Sequence, residues 1–331
     1  MGGARGLSGG TLRDIYRTML TVRLAEERFM RGLSRGEFPG FYFPVQGMEA
    51  AAAGVMAALR PDDYYITTYR CLADVVAKGV PLPGVFGELL GRATGTSRGK
   101  GGTMHITDAE HGLMLTTGIV GSGTPIANGL ALSAQLRGED RVTGVSFGDG
   151  ATSTGALHEA LNLASLWELP VIFVCHNNLW GEFTHVHAST RTRRLAERAA
   201  PFEIPGVTVD GTDLFEVHTA AVAAVERARQ GGGPTFLEVI APRILGHSFG
   251  DTGDYMDNAA VEQARANDPI RKLGSWLVDH GHMGPDALDA MADEVTGEVE
   301  RALTVALDSE MLPPDELRTD VFASDVDTSV L

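Results

Sequence analysis

The feature of this sequence that most constrains its fold is the regular alternation of strand-like and helix-like segments over residues 142–241. Short apolar runs predict strands, and longer stretches with apolar residues at helical spacing predict helices. In chain order these are strand 142–147, helix 155–167, strand 170–175, strand 207–209, helix 213–229 and strand 235–241. Such alternation indicates parallel βαβ units. We therefore predict an α/β fold with a mostly parallel sheet flanked by helices.

The flanking parts of the chain add helices and one further strand. Apolar residues from Thr11 to Leu33 recur at helical spacing and predict a long amphipathic helix. The other predicted elements are a helix at 47–59, a strand at 64–68, a loop rich in Gly, Thr and Ser at 94–123, a helix at 124–136 and C-terminal helices at about 268–280 and 285–308. We predict a disordered Gly-rich N-terminus at 1–10, one domain over 11–323 and a tail at 324–331.

Composition excludes several classes of function. The chain has 331 residues, of which 44% are hydrophobic, so it can bury a full core. Its formal net charge of −16 argues against a nucleic-acid or anionic membrane surface, so a phosphate ligand needs a local site. No uncharged apolar stretch reaches the 18 residues of a spanning helix, and the N-terminus lacks the apolar core of a signal peptide. Because Cys71 and Cys175 are too few for a disulfide framework, we expect a cytoplasmic setting.

A lone aspartate between two glycines follows the first strand of the alternating region, in the stretch GVSFGDGATSTG that begins at Gly144. The stretch does not fit a dinucleotide fingerprint, because its third glycine, Gly155, comes two residues too late. It also lacks the Lys-Ser/Thr pair of a nucleotide P-loop. Two interpretations stay open at this point. One is a structural turn, and the other is a ligand site outside the carboxyl ends of the strands.

The position of Asn178 favours a ligand site. It lies 29 residues beyond Asp149, a distance filled by one helix and one strand, so a parallel crossover places both residues at the ends of neighbouring strands. Carboxylate, amide and main-chain carbonyl oxygens are ligands that Mg²⁺ takes together with phosphate oxygens and water. Gly148 and Gly150 let the backbone approach a bulky ligand, and the following helix start offers N–H groups to phosphates. The sequence therefore predicts a Mg²⁺-diphosphate site.

Gly148-Asp149-Gly150 followed by Asn177-Asn178 resembles the thiamine-diphosphate motif. The longer string GDGATSTGALHEALNLASLWELPVIFVCHNN resembles the α subunit of the decarboxylating component of 2-oxo acid dehydrogenase complexes, a family with pyruvate, acetoin and branched-chain members. The resemblance extends from TVRLAEE near the N-terminus to DPI at 268–270 and DVFA at 320–323. It implies a thiamine-diphosphate-binding fold, with thiamine diphosphate and Mg²⁺ as cofactors.

The resemblance also implies roles for individual positions. Asp149, Asn178 and the main-chain carbonyl of Trp180 match the family's Mg²⁺ ligands. The positions that match diphosphate contacts are Tyr69, Arg70, Gly150, Ala151, Gly181 and Arg243. The segment Gly118-Ile119-Val120-Gly121 matches the one that receives the aminopyrimidine ring, with Val120 as the apolar support of a bent cofactor. His247, in PRILGHSFGD, matches the catalytic histidine, a side chain whose charge can change near neutral pH.

Several positions depart from the family's pattern. The departures are Phe43 where pyruvate-type members often carry a substrate-side histidine, Thr154 for a common Glu or Gln, His176 for the usual Glu, Gly250-Asp251-Thr252 for Ser-Asp-Pro, and Tyr255-Met256 for Tyr-Arg. The last two leave the fold of the loop after His247 open. Among the other histidines, His158, His185 and His187 are interpreted as structural, whereas His105 is a candidate for the border of the site.

The resemblance further implies partner chains. The glutamate that activates the aminopyrimidine belongs to a β subunit in this family, and no position here matches it, so an α₂β₂ heterotetramer is implied. The acyl group passes to a lipoyl group on a separate dihydrolipoyl acyltransferase, since no Asp-Lys-Ala lipoyl motif occurs here. The implied function is a dehydrogenase α subunit that acts on a small 2-oxo acid or on acetoin. Two alternatives stay open: a thiamine-diphosphate-dependent acyl or ketol transferase outside a dehydrogenase complex, and a non-catalytic assembly subunit.

Overall fold

The computed structural model describes residues 7–320, in which parallel strands alternate with helices. The strands are β1 Tyr64–Thr68, β2 Leu113–Thr117, β3 Thr143–Gly148, β4 Val171–Asn177, β5 Trp180–Gly181, β6 Thr184–His185, β7 Gly206–Asp210 and β8 Thr235–Ile240. The α-helices are α1 Gly9–Arg35, α2 Glu49–Met56, α3 Leu72–Ala77, α4 Leu82–Leu89, α5 Gly123–Arg137, α6 Gly155–Leu166, α7 Val186–Ser189, α8 Leu214–Arg229, α9 Asn258–Ala266, α10 Pro269–Asp279 and α11 Pro285–Asp308. The predicted α/β fold is confirmed.

Six of these strands form one parallel sheet in the order β2-β1-β3-β4-β8-β7, while β5 and β6 form a separate antiparallel hairpin. The chain moves from β1 outward to β2 and then returns to the other side of β1 for β3. The strand order therefore reverses between β1 and β3. In open α/β sheets such a reversal opens a crevice at the carboxyl ends of the strands, and ligands bind there.

The sheet is covered on both faces, and β4 shows how one strand serves both layers. Its successive side chains point to opposite faces. Ile172 and Val174 join the core built with α1 to α4, α8 and α11, whereas Val171, Phe173 and Cys175 join the core built with α5, α6 and the 3-10 helix Leu195–Phe202. Burial on both faces explains why β4 is a continuous apolar run, as is typical of central parallel strands.

Two predictions for the first half of the chain are wrong. Residues 94–123 were expected to form a loop throughout, yet β2 lies within them as an edge strand paired with β1. Its short LMLTT run stands between Gly-rich segments, so only the pairing with β1 reveals it as a strand. The first helix begins at Gly9 rather than at Thr11, because the Ser8 hydroxyl caps it by accepting from Thr11 N.

The remaining predicted boundaries agree with the structure to within a few residues, while α3, α4, α7, α9 and the β5–β6 hairpin were not predicted. The single domain over 11–323 stays a prediction. The expected tail at 324–331, the end of the DVFA motif and most of the expected disordered N-terminus lie outside the described residues. None of the helices within 7–320 is both long enough and apolar enough to span a membrane.

Candidate functional site

A cavity of about 320 Å³ opens at the carboxyl edge of the sheet. Four neighbouring strands supply its floor through the residues at or just after their ends: Thr117 from β2, Thr68 from β1, Gly148 from β3 and Asn178 after β4. This is the position predicted for a ligand from the strand order. Of the candidate site residues, those that line the cavity are Tyr69, Arg70, Val120, Asp149, Gly150, Ala151, Asn178, Trp180, Gly181 and His247, whereas Gly118 and Arg243 lie outside its lining.

Asp149 is a buried carboxylate at the cavity floor. Its exposed fraction is only 4%, and no Lys, Arg or His of residues 7–320 forms an ion pair with it. Burial raises its pKa to about 6, because the charged form loses hydration, and the more distant Arg243 and Arg70 oppose this effect. A buried carboxylate without a cationic partner is costly, so a cation bound at Asp149 would stabilise the charged form.

The loop after β4 brings a second backbone segment against Asp149. A Cβ atom built on Gly150 would lie 3.6 Å from Cα of Gly181, so these two loops are in contact across the cavity floor. The Asn178 amide oxygen accepts a hydrogen bond from Trp180 N at 3.0 Å. Leu179 between them has a left-handed φ of 71°, which turns the chain sharply into the β5–β6 hairpin. Asp149, Asn178 and Trp180 therefore line one side of the cavity together.

Arg70 joins two loops at the other side of the cavity. One guanidinium nitrogen donates to the carbonyl oxygen of Pro44, and the other donates to the carbonyl oxygen of His247 at 2.8 Å. Burial lowers the pKa of Arg70 to about 10, which leaves the side chain charged at neutral pH. Phosphate groups are well matched by such a planar donor.

His247 is the centre of a network that was not predicted from the sequence. Its Nδ1 lies 3.4 Å from a nitrogen of Arg70 and 3.4 Å from one of Arg243. Guanidinium groups only donate, so Nδ1 is the acceptor and the neutral ring carries its hydrogen on Nε2. Burial lowers the pKa of His247, and both guanidinium charges add to that effect.

The loop after His247 is held by Asp251 and Tyr255, which keep the family's Asp and Tyr within the two segments that otherwise depart from its pattern. Asp251 accepts from His247 N at 2.5 Å, from the Tyr255 hydroxyl at 2.7 Å and from Gly253 N at 3.0 Å. The Tyr255 hydroxyl in turn accepts from Arg243 at 2.6 Å. The altered segment therefore forms an internally bonded loop that positions His247.

The segment Gly118–Gly121 borders the cavity at the solvent side. Ile119 and Val120 line the cavity and are 70% and 54% exposed. Gly121 has a left-handed φ of 83° and packs so closely on Thr154 that a Cβ would lie 2.5 Å from the Thr154 hydroxyl. Thr154 is also the N-cap of α6, which accounts for a residue with a short hydroxyl side chain at this position.

The four other histidines that the sequence singled out differ in their surroundings. His105 is exposed and outside the cavity lining, but its Nε2 lies 3.7 Å from the Cβ position of Gly118. His158 faces the carbonyl oxygen of Thr154 at 2.9 Å, and His185 packs against Trp180 with ring centroids 5.0 Å apart. His187 lies beside His185 at 5.2 Å.

Comparison with known proteins agrees with this arrangement. The family model described as "Dehydrogenase E1 component" matches residues 16–315. Similar curated proteins include the acetoin:2,6-dichlorophenolindophenol oxidoreductase α subunits of Cupriavidus necator, with 41% identity over 95% of both chains, and of Bacillus subtilis, with 39% identity over 94% of this chain and 93% of the relative. The pyruvate dehydrogenase E1 component α subunit of Porphyra purpurea is 37% identical over 93% of this chain and 92% of its own length. The chain belongs to the dehydrogenase E1 family.

Membership of the E1 family makes the chain a subunit of a thiamine-diphosphate-dependent oxidoreductase, and the α subunit names of the relatives imply a β subunit as its partner. The cavity fits that cofactor in its chemistry. It combines a buried carboxylate without a cationic partner, buried guanidinium groups for a diphosphate, and an apolar rim at Ile119 and Val120 for a ring.

Two acidic residues near the E1 site were not predicted from the sequence. Asp74 lies 3.3 Å from Nε2 of His176, which lines the cavity, and its other oxygen accepts from Thr67 at 2.6 Å and Ser146 at 2.7 Å. Glu182 lines the cavity directly after Gly181. Glu182 could have been recognised from its position in the LWGE segment that follows the paired asparagines. No local sequence feature indicated Asp74.

Proposed function

We propose that this chain is the α subunit of a Mg²⁺- and thiamine-diphosphate-dependent dehydrogenase that acts on acetoin or a small 2-oxo acid. The supporting observation is Asp149, a buried carboxylate without a cationic partner in the described chain, which lines one cavity with Asn178, Trp180 and Arg70. Asp149, the Asn178 amide and the Trp180 carbonyl are the proposed Mg²⁺ ligands, because oxygen atoms of these kinds suit a small hard cation.

The other residues of the proposed cofactor site divide between the two ends of the cavity. Tyr69, Arg70, Gly150, Ala151, Gly181 and Arg243 are proposed to contact the diphosphate directly or to support its contacts, and Gly118 and Val120 the aminopyrimidine. When bound, thiamine diphosphate supplies a nucleophilic carbon that attacks the substrate carbonyl and holds the electrons released on bond cleavage. The protein's own contribution is to orient the ring, exclude water and place His247 beside the reacting carbonyl. With Nε2 carrying the hydrogen, His247 can donate to an oxygen on which charge develops.

The proposed assembly contains two further proteins. The α subunit names of the relatives indicate a β partner, and we propose an α₂β₂ heterotetramer. The acyl group would then pass to the lipoyl group of a separate dihydrolipoyl acyltransferase. A cytoplasmic location is part of the same proposal, since Cys71 and Cys175 are free and buried, as expected for a reducing compartment.

The decisive experiment is co-purification with the β subunit, followed by turnover of acetoin, pyruvate and branched-chain 2-oxo acids with an artificial electron acceptor. Cofactor binding is tested on the same complex by calorimetry with Asp149→Ala, which we expect to abolish Mg²⁺-dependent binding of thiamine diphosphate. Asp293→Ala on the exposed face of α11 is the matched control. Unchanged cofactor affinity in Asp149→Ala would contradict the proposed site, and the absence of turnover on every substrate would contradict the proposed activity.

A further inference from the structure

The substrate side of the cavity offers little positive charge to an anionic substrate. Arg70 and Arg243 already donate to main-chain carbonyls of Pro44, His247 and Glu182, and both are buried. In the proposed function their remaining capacity serves the diphosphate. His247 is neutral at neutral pH, because burial and the two guanidinium charges lower its pKa. A substrate carboxylate beside His247 would therefore lack a free cationic partner.

The surface around His247 is aromatic. Phe43 packs edge-on against the His247 ring with centroids 5.2 Å apart and against Tyr69 at 4.4 Å. Phe183 lies on another side of His247 at 6.1 Å and is 57% exposed. The two phenyl rings supply area for an apolar substrate but neither a donor nor a charge for a carboxylate, so a substrate carboxylate would meet no cationic group on this surface.

Glu182 adds a negative charge to the same side. It lines the cavity mouth, and no Lys, Arg or His within the described chain lies at ion-pair distance from its carboxylate. Its charge also acts on Tyr69, which lines the same cavity. Burial raises the pKa of the Tyr69 hydroxyl, the charge of Arg70 opposes that rise, and the charge of Glu182 adds to it. Its backbone has a left-handed φ of 53°, and its carbonyl oxygen accepts from Arg243 at 2.8 Å, so its position is held from both sides.

We infer that this cavity selects an uncharged α-hydroxyketone over 2-oxo acid anions, and that Glu182 is a specificity-determining residue for that choice. The inference rests on the proposed function. In both substrate classes a bond to the carbonyl carbon breaks and its electron pair stays with the carbonyl fragment, from which an acceptor later takes two electrons. Cleavage of a 2-oxo acid releases carbon dioxide, whereas cleavage of an acyloin releases an aldehyde after the hydroxyl loses its proton. The same cofactor and residues can cleave both substrate classes, so the charge at the cavity mouth decides which substrate class enters.

Coulomb repulsion gives the expected size of the effect. Two like charges near a protein surface repel each other, and a repulsion of about 1.4 kcal/mol corresponds to a tenfold change in kcat/KM. Solvent at the exposed carboxylate screens part of this repulsion. Removing the Glu182 charge should therefore raise the ratio of kcat/KM for pyruvate to that for acetoin by about tenfold or more.

The test compares the αβ complex with its Glu182→Gln variant, using acetoin and pyruvate as substrates and an artificial electron acceptor. Glutamine keeps the shape and removes the charge. The matched control is Glu203→Gln, because Glu203 is also exposed with a left-handed φ of 57° but lies outside the cavity. We expect the unmodified complex to prefer acetoin, Glu182→Gln to shift the ratio toward pyruvate, and Glu203→Gln to leave it unchanged.

The failure of this inference differs from the failure of the proposed function. A preference of the unmodified complex for pyruvate, or the same ratio in Glu182→Gln, overturns the inference and leaves the proposed function intact. No turnover of either substrate overturns both. Thiamine-diphosphate affinity, measured by calorimetry on each variant, separates a change of substrate choice from a loss of cofactor: a shift in the ratio that follows a loss of affinity would count against Glu182 as a specificity residue.

Discussion

At the scale of single residues, the geometry of His247 depends on neighbours distant in sequence. Arg70 precedes it by 177 residues, yet one guanidinium contacts both its main-chain oxygen and its Nδ1. Asp251 holds its main-chain N–H at 2.5 Å. The hydrogen bonds to its main chain therefore fix the position of His247, and Nε2 of the ring remains available to the substrate.

We expect His247→Ala to leave thiamine-diphosphate affinity within a few-fold, because the main-chain contacts to Arg70 and Asp251 survive the substitution. Turnover should fall by roughly 10² to 10⁴, the usual effect of removing a positioned acid–base or charge-stabilising group. Affinity and turnover must be measured on the same preparation, with His187→Ala as the control at an exposed histidine. A parallel loss of both in His247→Ala would make His247 a binding or folding residue.

A second residue-scale prediction concerns Glu26, a fully buried carboxyl on α1. It accepts from the Tyr42 hydroxyl at 3.0 Å and from Val45 N at 2.5 Å, and so anchors the segment that carries Phe43. Burial raises its pKa to about 7, against the opposing hydrogen bond from Val45. The folded state then holds a proton that the unfolded state has lost, so stability is fully present below about 4.5, the usual pKa. It falls as pH rises from there through about 7.

We expect Glu26→Gln to flatten this dependence, because the amide oxygen keeps both hydrogen bonds and cannot ionise. The part of the pH dependence that disappears should be about 3.5 kcal/mol at most, from roughly 1.4 kcal/mol per unit of pKa shift. Urea unfolding between pH 4.5 and 8 measures it, with the exposed neighbour Glu27→Gln as the control. Identical pH profiles for the parent and Glu26→Gln would show that Glu26 is not the titrating group.

At the scale of elements, the glycine-rich segment at 95–102 is ordered by a single carboxylate on α4. Glu88 is buried and accepts four main-chain hydrogen bonds, from Ser97 N at 2.7 Å, Gly99 N at 3.0 Å, Gly101 N at 2.6 Å and Gly102 N at 3.2 Å. The segment leads directly to Met104 and His105, which lie beside Gly118 at the border of the site. The glycine-rich composition of this segment is typical of a flexible loop, but the Glu88 side chain holds its main chain in place.

We expect Glu88→Ala to destabilise the chain by about 2 kcal/mol or more, because buried N–H groups lose their acceptor. The segment should also open locally, so trypsin should cleave at Arg98 and Lys100 faster than in the parent. The exposed Glu110→Ala serves as the control. Unchanged urea unfolding together with unchanged cleavage at these two sites would show that the segment holds its shape without Glu88.

At the scale of the whole molecule, the mouth of the cavity carries apolar side chains that are unusually exposed. Ile119, Val120 and Phe183 are each more than half exposed, and Phe41 is 50% exposed beside Phe43. Exposed apolar surface concentrated around a functional cavity is typical of a site that another chain covers. The α subunit names of the relatives agree with this interpretation.

We expect the purified chain without a β subunit to show no turnover of acetoin or pyruvate, even with thiamine diphosphate and Mg²⁺ added, because no position here matches the activating glutamate. Addition of the β subunit should restore turnover and shift the elution volume in gel filtration. Turnover by the chain alone would refute this prediction.

The sequence by itself determined the central sheet and the meeting of Asp149 with Asn178. Period-2 and period-3.6 patterns are local properties, so the strands β1, β3, β4 and β8 and the helices α5, α6 and α8 could be located within a few residues. The motif residues also follow from local information, because a parallel crossover of known length must return the chain to the same edge of the sheet.

Only the tertiary structure decided the position of β2, the network at His247 and the contacts of Asp74 with Ser146 and His176. Each of these depends on partners far away in the chain, such as β1 for the edge strand and Arg70 and Arg243 for the histidine. Their physical basis is burial and hydrogen bonding between separate segments. Those energies arise only when the segments meet, so these contacts cannot be predicted from local periodicity.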